Sequence, residues 1–325
     1  MKTVLIIGGT GFVGKSFLDC FVQNKLNKFK IKKLILLARN IKKIKIKFKN
    51  YKKKNLIFIK GDICKLKQIP KADYIFHAAA STDEKKYLHQ SKKQITNNID
   101  SVKNFLNIIK NKNFIYSRIV FLSSGAVYGL LKNIKDSKEK TKINFLKIKK
   151  FSESKKNYAF SKIICEKMIN NHVKKFKTNI KIARLFAFIG KNIPLNKYFL
   201  IGNVINGILK KRTIVIKSPD PKNTFRSFMY ADDMVFLLIK IAMHKKISHN
   251  IFNVGSDEIF SVCDLENLIF KNYKINFFYK KHSYNLKDLY VPDLDKIYSI
   301  FKNIKLTRLE QSLKKTIINL KKNLN

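Results

Sequence analysis

Tyr158 and Lys162 stand four residues apart in Tyr158-Ala-Phe-Ser-Lys162. On a helix that spacing puts both side chains on one face. The pair suits proton transfer to and from a hydroxyl. A phenol ordinarily titrates near pH 10 and is a poor base at neutrality. Making it a usable one takes ~4 kcal/mol. An ammonium ~4 Å away at an effective dielectric of about 20 supplies that much. Lys162 would thus turn Tyr158 into a working acid and base. In a chain with 13 tyrosines such a spacing also arises by chance, so the pair gains meaning only in company. Ser124 provides it. It lies in Ser123-Ser124-Gly125, directly after the apolar run Ile119–Leu122, where a hydroxyl can bond the reacting oxygen and share its proton with Tyr158.

A second constellation opens the chain. The apolar run Val4–Ile7 leads into Gly8-Gly9-Thr10-Gly11-Phe12-Val13-Gly14, and a helical pattern follows. Gly8 permits the tight turn, Gly11 lets the backbone approach a pyrophosphate, and Gly14 allows close helix–strand packing. The helix start offers free N–H groups and partial positive charge to phosphates. We therefore expect Gly8, Thr10, Gly11, Phe12, Val13 and Gly14 to bind a dinucleotide, NAD(P), with Lys162 also holding the nicotinamide ribose. At the end of the second strand an acid would bond the adenosine ribose. The chain has Leu37-Ala38-Arg39-Asn40 there instead. Arg39 can pair with a 2′-phosphate, which tilts the expectation toward NADP(H) over NAD.

These residues need a scaffold whose strand ends converge. Leu34–Leu37, Leu56–Ile59, Tyr74–Phe76, Ile119–Leu122 and Ile180–Arg184 read as further short buried strands. Between them Phe12–Asn24, Ile99–Ile109 and Tyr158–Val173 read as helices. Non-alternating apolar strands interleaved with helices predict an α/β fold, a doubly wound parallel sheet of Rossmann type. Residues 132–156 read as a loop with at most one helical turn, and 32–54 as a solvated loop or exposed helix. After about Gly190 the alternation breaks down. Phe199–Leu209, Met234–Met243 and Leu309–Leu320 read as helices and Thr213–Ile216 as a strand. We expect residues 1–184 to form the dinucleotide-binding domain with Tyr158 and Lys162. Residues 185–325 should form mainly a smaller C-terminal α/β substrate lobe, with some segments returning to the sheet.

Composition limits the partners. The formal net charge is +48 over 325 residues. That suggests nucleic acid or an anionic membrane. Yet only six residues are arginine, the side chain suited to bidentate phosphate contacts, while Lys, Ile, Asn and Phe abound. Those residues share A/T-rich codons, so base composition explains the charge and nucleic acid is not the expected partner. The positive field still attracts anionic ligands. Cys20, Cys64, Cys165 and Cys263 form no C-x-x-C pair, so neither a metal site nor a disulfide framework is expected. No run approaches the ~20 apolar residues of a membrane span, and no signal peptide is evident, which makes the cytoplasm the default.

Taken together the motifs resemble the NAD-dependent epimerase/dehydratase family, the extended short-chain dehydrogenases that modify nucleotide sugars. The resemblance covers nearly the whole chain. Gly8–Gly14 resembles the family's cofactor loop and Gly61-Asp62-Ile63 its adenine-contacting turn. His77-Ala78-Ala79-Ala80 resembles the segment beside the cofactor. Asn98 through Asn104-Phe-Leu resembles a helix with a structural asparagine. Ser123–Gly129 and Tyr158–Lys162 match catalytic motifs. Arg184-Leu-Phe, Arg226 through Asp233, and Asn253-Val-Gly255 are further landmarks. The resemblance implies Tyr158, Lys162 and Ser124 as the catalytic set. It implies Asp62, Ile63, Ala78, Ala79, Ala80, Asn98, Tyr158 and Lys162 as cofactor contacts. Ser124, Asn203 and Arg226 would be substrate contacts, with Arg226 on the diphosphate. If Arg226 is not there, it pairs with Asp232 or Asp233. The implied substrate is a nucleoside-diphosphate sugar, and the implied assembly a homodimer pairing through two long helices.

The expected reaction is epimerisation or reduction by hydride transfer at sugar C4. A 4,6-dehydratase is the alternative within the family. Its members place an acid and a base after the catalytic hydroxyl residue, whereas here Gly125-Ala126 transfers no protons. Many relatives also have Asn where Ala187 stands. Outside that class, the alternative is a non-catalytic NAD(P)- or RNA-binding Rossmann protein.

Overall fold

The computed structural model describes residues 1–47, 55–81, 84–196, 198–218, 220–245, 250–280 and 287–322. The chain begins with strands and helices in alternation. These are β1 (Lys2–Ile7), α1 (Phe12–Val22), β2 (Ile31–Ala38), α2 (Lys42–Lys47), β3 (Leu56–Lys60), β4 (Tyr74–His77), α3 (Glu84–His89), α4 (Ser91–Ile109), β5 (Arg118–Ser124), α5 (Phe145–Lys149), α6 (Glu153–Phe176) and β6 (Ile180–Leu185). Of residues 32–54, 48–54 lie outside the described residues; the part described divides between β2 and α2.

The strands form a seven-stranded sheet in the order 251–254, β6, β5, β4, β1, β2, β3. Strand β1 pairs parallel with both β2 and β4, and β4 pairs parallel with β5. Val4, Leu5, Ile6 and Ile7 are all buried, because helices cover both faces. On one face Leu5, Ile35, Ile75 and Phe121 pack with Val102 and Phe105 of α4 and Ile169 of α6. On the other, Phe17 of α1 meets Phe76 of β4 with ring centroids 4.7 Å apart. Each such side chain contributes about 1.5–3 kcal/mol by leaving water. The order reverses between β1 and β4. That reversal opens a crevice beyond their carboxyl ends, the place where sheets of this kind hold ligands.

The rest comprises β7 (Ala187–Ile189), α7 (Leu200–Leu209), β8 (Ile214–Ile216), β9 (Thr224–Tyr230), α8 (Ala231–Met243), β10 (Ile251–Val254), β11 (Ile259–Ser261), α9 (Val262–Tyr273), β12 (Phe277–Tyr279), β13 (Asp288–Tyr290), α10 (Asp295–Ile300) and α11 (Leu309–Lys321). Strand β9 lies between β11 and β13 and also pairs with β7, while β12 pairs parallel with β8. Ile205, Phe228, Leu265 and Leu313 share one core here.

Two compact units result. One contains Met1–Val127, Ile148–Arg184 and Val235–Phe252; the other contains Tyr128–Lys147, Leu185–Met234 and Asn253–Asn325. Residues 128–147 are more ordered than their lysine-rich sequence suggests. Tyr128 donates to Asn253 Oδ1 at 2.9 Å. Asn253 Nδ2 donates to the carbonyls of Ser137 (2.7 Å) and Asp293 (2.9 Å). Among the described residues no helix is long and apolar enough to cross a membrane.

Candidate active site

Helix α6 carries Tyr158 and Lys162 on one face. Lys162 is buried, and its Nζ donates to the carbonyl of Leu122 at 2.7 Å, near the end of β5. The same nitrogen lies 5.1 Å from the Phe121 ring centroid and 5.9 Å from that of Tyr158. Burial pushes the ammonium down to about 8, with Cys165 and Glu166 pulling it upward. Ser124, the last residue of β5, is buried two positions beyond Leu122, and its Oγ accepts from the Ala126 N–H at 3.2 Å. The strand therefore runs two residues past its expected end and takes in both serines.

A buried charge network ties β5 to α6 below this pair. Ser123 donates to Glu166 Oε1 at 2.5 Å. Arg184 of β6 grips the same carboxylate with two bonds, Nε to Oε1 at 3.0 Å and Nη2 to Oε2 at 2.7 Å. Glu166 follows Lys162 by one helical turn, so its position on the helix face is readable in the sequence. Its pairing with Ser123 and Arg184 depends on the fold.

At the end of β1, Gly8 has φ +95°, which side-chain-bearing residues rarely adopt. A Cβ there would lie 2.6 Å from the Ala78 carbonyl oxygen, so β1 and β4 approach as closely as the turn allows. A Cβ on Gly14 would lie 2.5 Å from Gly9 Cα. Gly11 differs: a Cβ would meet only the Gly8 oxygen, at 3.4 Å, and otherwise enter open space. Helix α1 starts there with no side-chain cap and no acidic residue in its first turn. A helix N-terminus with this open approach fits a diphosphate.

Of the other predicted cofactor residues, Arg39, Asp62, Ile63 and Ala78–Ala80 follow the carboxyl ends of β2, β3 and β4, and Asn98 lies on α4. Arg39 is exposed just beyond β2. Asp62 accepts from the Cys64 N–H at 3.1 Å, and Asn104 Nδ2 holds the turn by donating to the carbonyls of Ile63 (2.7 Å) and Leu66 (2.8 Å). Ala78, Ala79 and Ala80 follow β4, half-buried. Behind them His77 Nε2 lies 3.3 Å from Ser101 Oγ. Burial, reinforced by the Lys162 charge, pushes the His77 imidazole down to about 4. Asn98 is engaged internally. Its Nδ2 donates to Tyr87 Oη at 2.6 Å and to Ser161 Oγ at 3.0 Å.

In the second unit Arg226 is half-buried. Nη2 pairs with Asp288 Oδ2 at 2.5 Å, and Nη1 donates to the carbonyls of Phe225 (2.8 Å) and Asp288 (2.9 Å). Asp288 thus replaces the expected Asp232 or Asp233. Both of those sit in the first turn of α8, whereas β13 runs parallel to β9 and places Tyr290 opposite Arg226. Asn203 Nδ2 donates to the Val215 carbonyl at 2.8 Å, bracing α7 against β8.

A sequence model of the NAD dependent epimerase/dehydratase family matches residues 4–255. UDP-glucuronic acid decarboxylase 3 of Arabidopsis thaliana is 24% identical over 267 residues, covering 81% of this chain and 72% of that protein. Among solved structures, a UDP-N-acetylglucosamine 4-epimerase from Methanobrevibacter ruminantium M1 in complex with UDP-N-acetylmuramic acid superposes with a TM-score of 0.80 at 22% identity, covering 100% of this chain and 99% of that one. A UDP-glucuronic acid 4-epimerase from Bacillus cereus in complex with UDP-glucuronic acid and NAD gives 0.78 at 19% identity, covering 99% of this chain and 100% of the other. At these identities the structural likeness is one of fold.

Proposed function

Since the chain belongs to the NAD dependent epimerase/dehydratase family, we propose that it epimerises or reduces a nucleoside-diphosphate sugar by hydride transfer at C4. The observation that carries this reading is the buried Lys162 ammonium, fixed on the Leu122 carbonyl 5.9 Å from the Tyr158 ring, beside the Ser124 end of β5. Tyr158 moves the proton of the reacting sugar hydroxyl. Lys162 stabilises the phenolate by its charge, and Ser124 orients the sugar oxygen. The turn Gly8–Gly14 takes the dinucleotide diphosphate on backbone N–H groups. A bound nicotinamide supplies the hydride donor or acceptor.

Gly125 and Ala126 carry no proton-transferring side chain, which supports simple hydride chemistry over dehydration. Arg39 beyond β2, with no carboxylate in its place, supports NADP(H) over NAD. We assign residues 1–184 the cofactor and proton-transfer roles and 185–325 mainly substrate binding, with Arg226 on the diphosphate. The reading includes a homodimer through long helices, of which α4 and α6 are the longest.

The test is turnover of a panel of UDP-glucose, UDP-glucuronic acid, UDP-N-acetylglucosamine and dTDP-glucose with NAD or NADP, by product analysis and by absorbance of the reduced cofactor. One member of the panel should turn over. Tyr158→Phe should lose about 10²- to 10⁴-fold in kcat while still binding cofactor. Arg39→Ala should weaken NADP binding about tenfold and leave NAD nearly unchanged. Full turnover by Tyr158→Phe would refute the acid/base assignment.

A further inference from the structure

Tyr87, on the short helix α3, carries no role in the reading above, yet it sits against its central residue. We propose that Tyr87 is a positioning residue that sets the orientation of the Tyr158 phenol for proton transfer. The inference rests on the acid/base role of Tyr158. Tyr87 is 2% exposed, and its ring meets that of Tyr158 edge to face, with centroids 5.5 Å apart and planes at 80°. That is the favoured aromatic geometry, in which a positive ring edge faces a negative ring face. A tyrosine ring hinges about two side-chain bonds, so a wall at this distance narrows its swing.

The wall is itself anchored. Tyr87 Oη accepts from Asn98 Nδ2 at 2.6 Å. Asn98 Nδ2 donates in turn to Ser161 Oγ at 3.0 Å, and Ser161 Oγ donates to the backbone carbonyl of Tyr158 at 2.8 Å. The knot joins α3, α4 and α6 and closes on Tyr158 twice, once at its ring and once at its backbone. Asn98, expected as a cofactor contact, thereby acts through Tyr87 and Ser161. Lys162 follows Ser161 directly, so the same knot steadies the turn that carries the ammonium.

The experiment compares Tyr87→Leu and Tyr87→Phe with the wild type and with Tyr158→Phe, on whichever sugar nucleotide of the panel turns over. Tyr87→Leu should lose about 10- to 100-fold in kcat, the scale of a small misplacement, with KM and cofactor Kd within about twofold. Tyr87→Phe keeps the ring wall and should recover most of that loss. In a Tyr158→Phe background, Tyr87→Leu should cost nothing further, because both changes disable one function. Wild-type kcat in Tyr87→Leu would overturn the proposal. So would parallel losses of kcat and cofactor affinity, or equal losses for Leu and Phe, since these mark a general packing role. If Tyr158→Phe itself turns over fully, the acid/base reading fails separately.

Discussion

Lys162 has been taken out of water on a helix whose outer surface is crowded with other lysines. Burial pushes its ammonium down to about 8. In the proposed mechanism its charge keeps the Tyr158 phenol usable. In the direction of ketone reduction, kcat should therefore fall as pH rises through about 8, and Lys162→Met should be slow throughout with that limb gone. A pH–rate profile measures both. His77 carries a second pH dependence, this one in stability. Its folded imidazole is pushed down to about 4 against an ordinary 6.5, so the unfolded chain takes up the proton first as pH falls. This group's stability is whole above about 6.5 and is lost toward pH 4, on the order of 3 kcal/mol. Urea melts at pH 7 and pH 5 should differ by less in His77→Phe than in the wild type. The Tyr158–Lys162 pair was readable because helical spacing is local. Tyr87 and Arg184 were not readable as partners, because what they touch lies 11 to 71 residues away and only the sheet brings it near.

At the level of elements, the turn from β1 into α1 separates two uses of glycine. Gly14→Ala places a methyl 2.5 Å from the Gly9 backbone, so α1 must move and stability should drop by about 1–3 kcal/mol. Gly11→Ala meets only one atom at 3.4 Å, so the fold should tolerate it. Cofactor affinity should nevertheless fall at least about tenfold, because the methyl occupies the diphosphate's approach. Thermal melts paired with cofactor titrations check the contrast, and unchanged affinity in Gly11→Ala would remove this turn from the cofactor site. Apolar runs located the central strands well. They missed the starts of β2 and α4, where Lys32-Lys33 and Ser91-Lys92-Lys93-Gln94 hide elements without an apolar stripe. They missed the order in residues 128–147 because Asn253, over a hundred positions downstream, supplies its hydrogen bonds.

Across the whole molecule, a charge of +48 accompanies a proposed chemistry of anionic ligands. A field of this size draws phosphorylated ligands from bulk solution and is screened within ~8 Å at physiological salt. KM for the sugar nucleotide should rise severalfold between low and moderate salt, with kcat nearly constant. A kcat falling in step with KM would mean that salt acts on the site itself. The parallel-sheet unit was legible from its alternating elements and the glycine turn. The second unit was less so. Its strands β7, β8, β11, β12 and β13 have three residues each, too short to show a period, and Arg226 finds Asp288 sixty-two positions away.

The most direct measurement follows a deuterium placed at C4 of the sugar nucleotide that turns over, in the oxidising direction. The label should appear on C4 of the nicotinamide if the net reaction is oxidation or reduction, or return to C4 of the inverted sugar without washing out to solvent if it is epimerisation, in either case at a rate reduced by at least about 10²-fold in Tyr158→Phe. Turnover in which the label is lost to solvent, or transfer undiminished by Tyr158→Phe, would contradict the account.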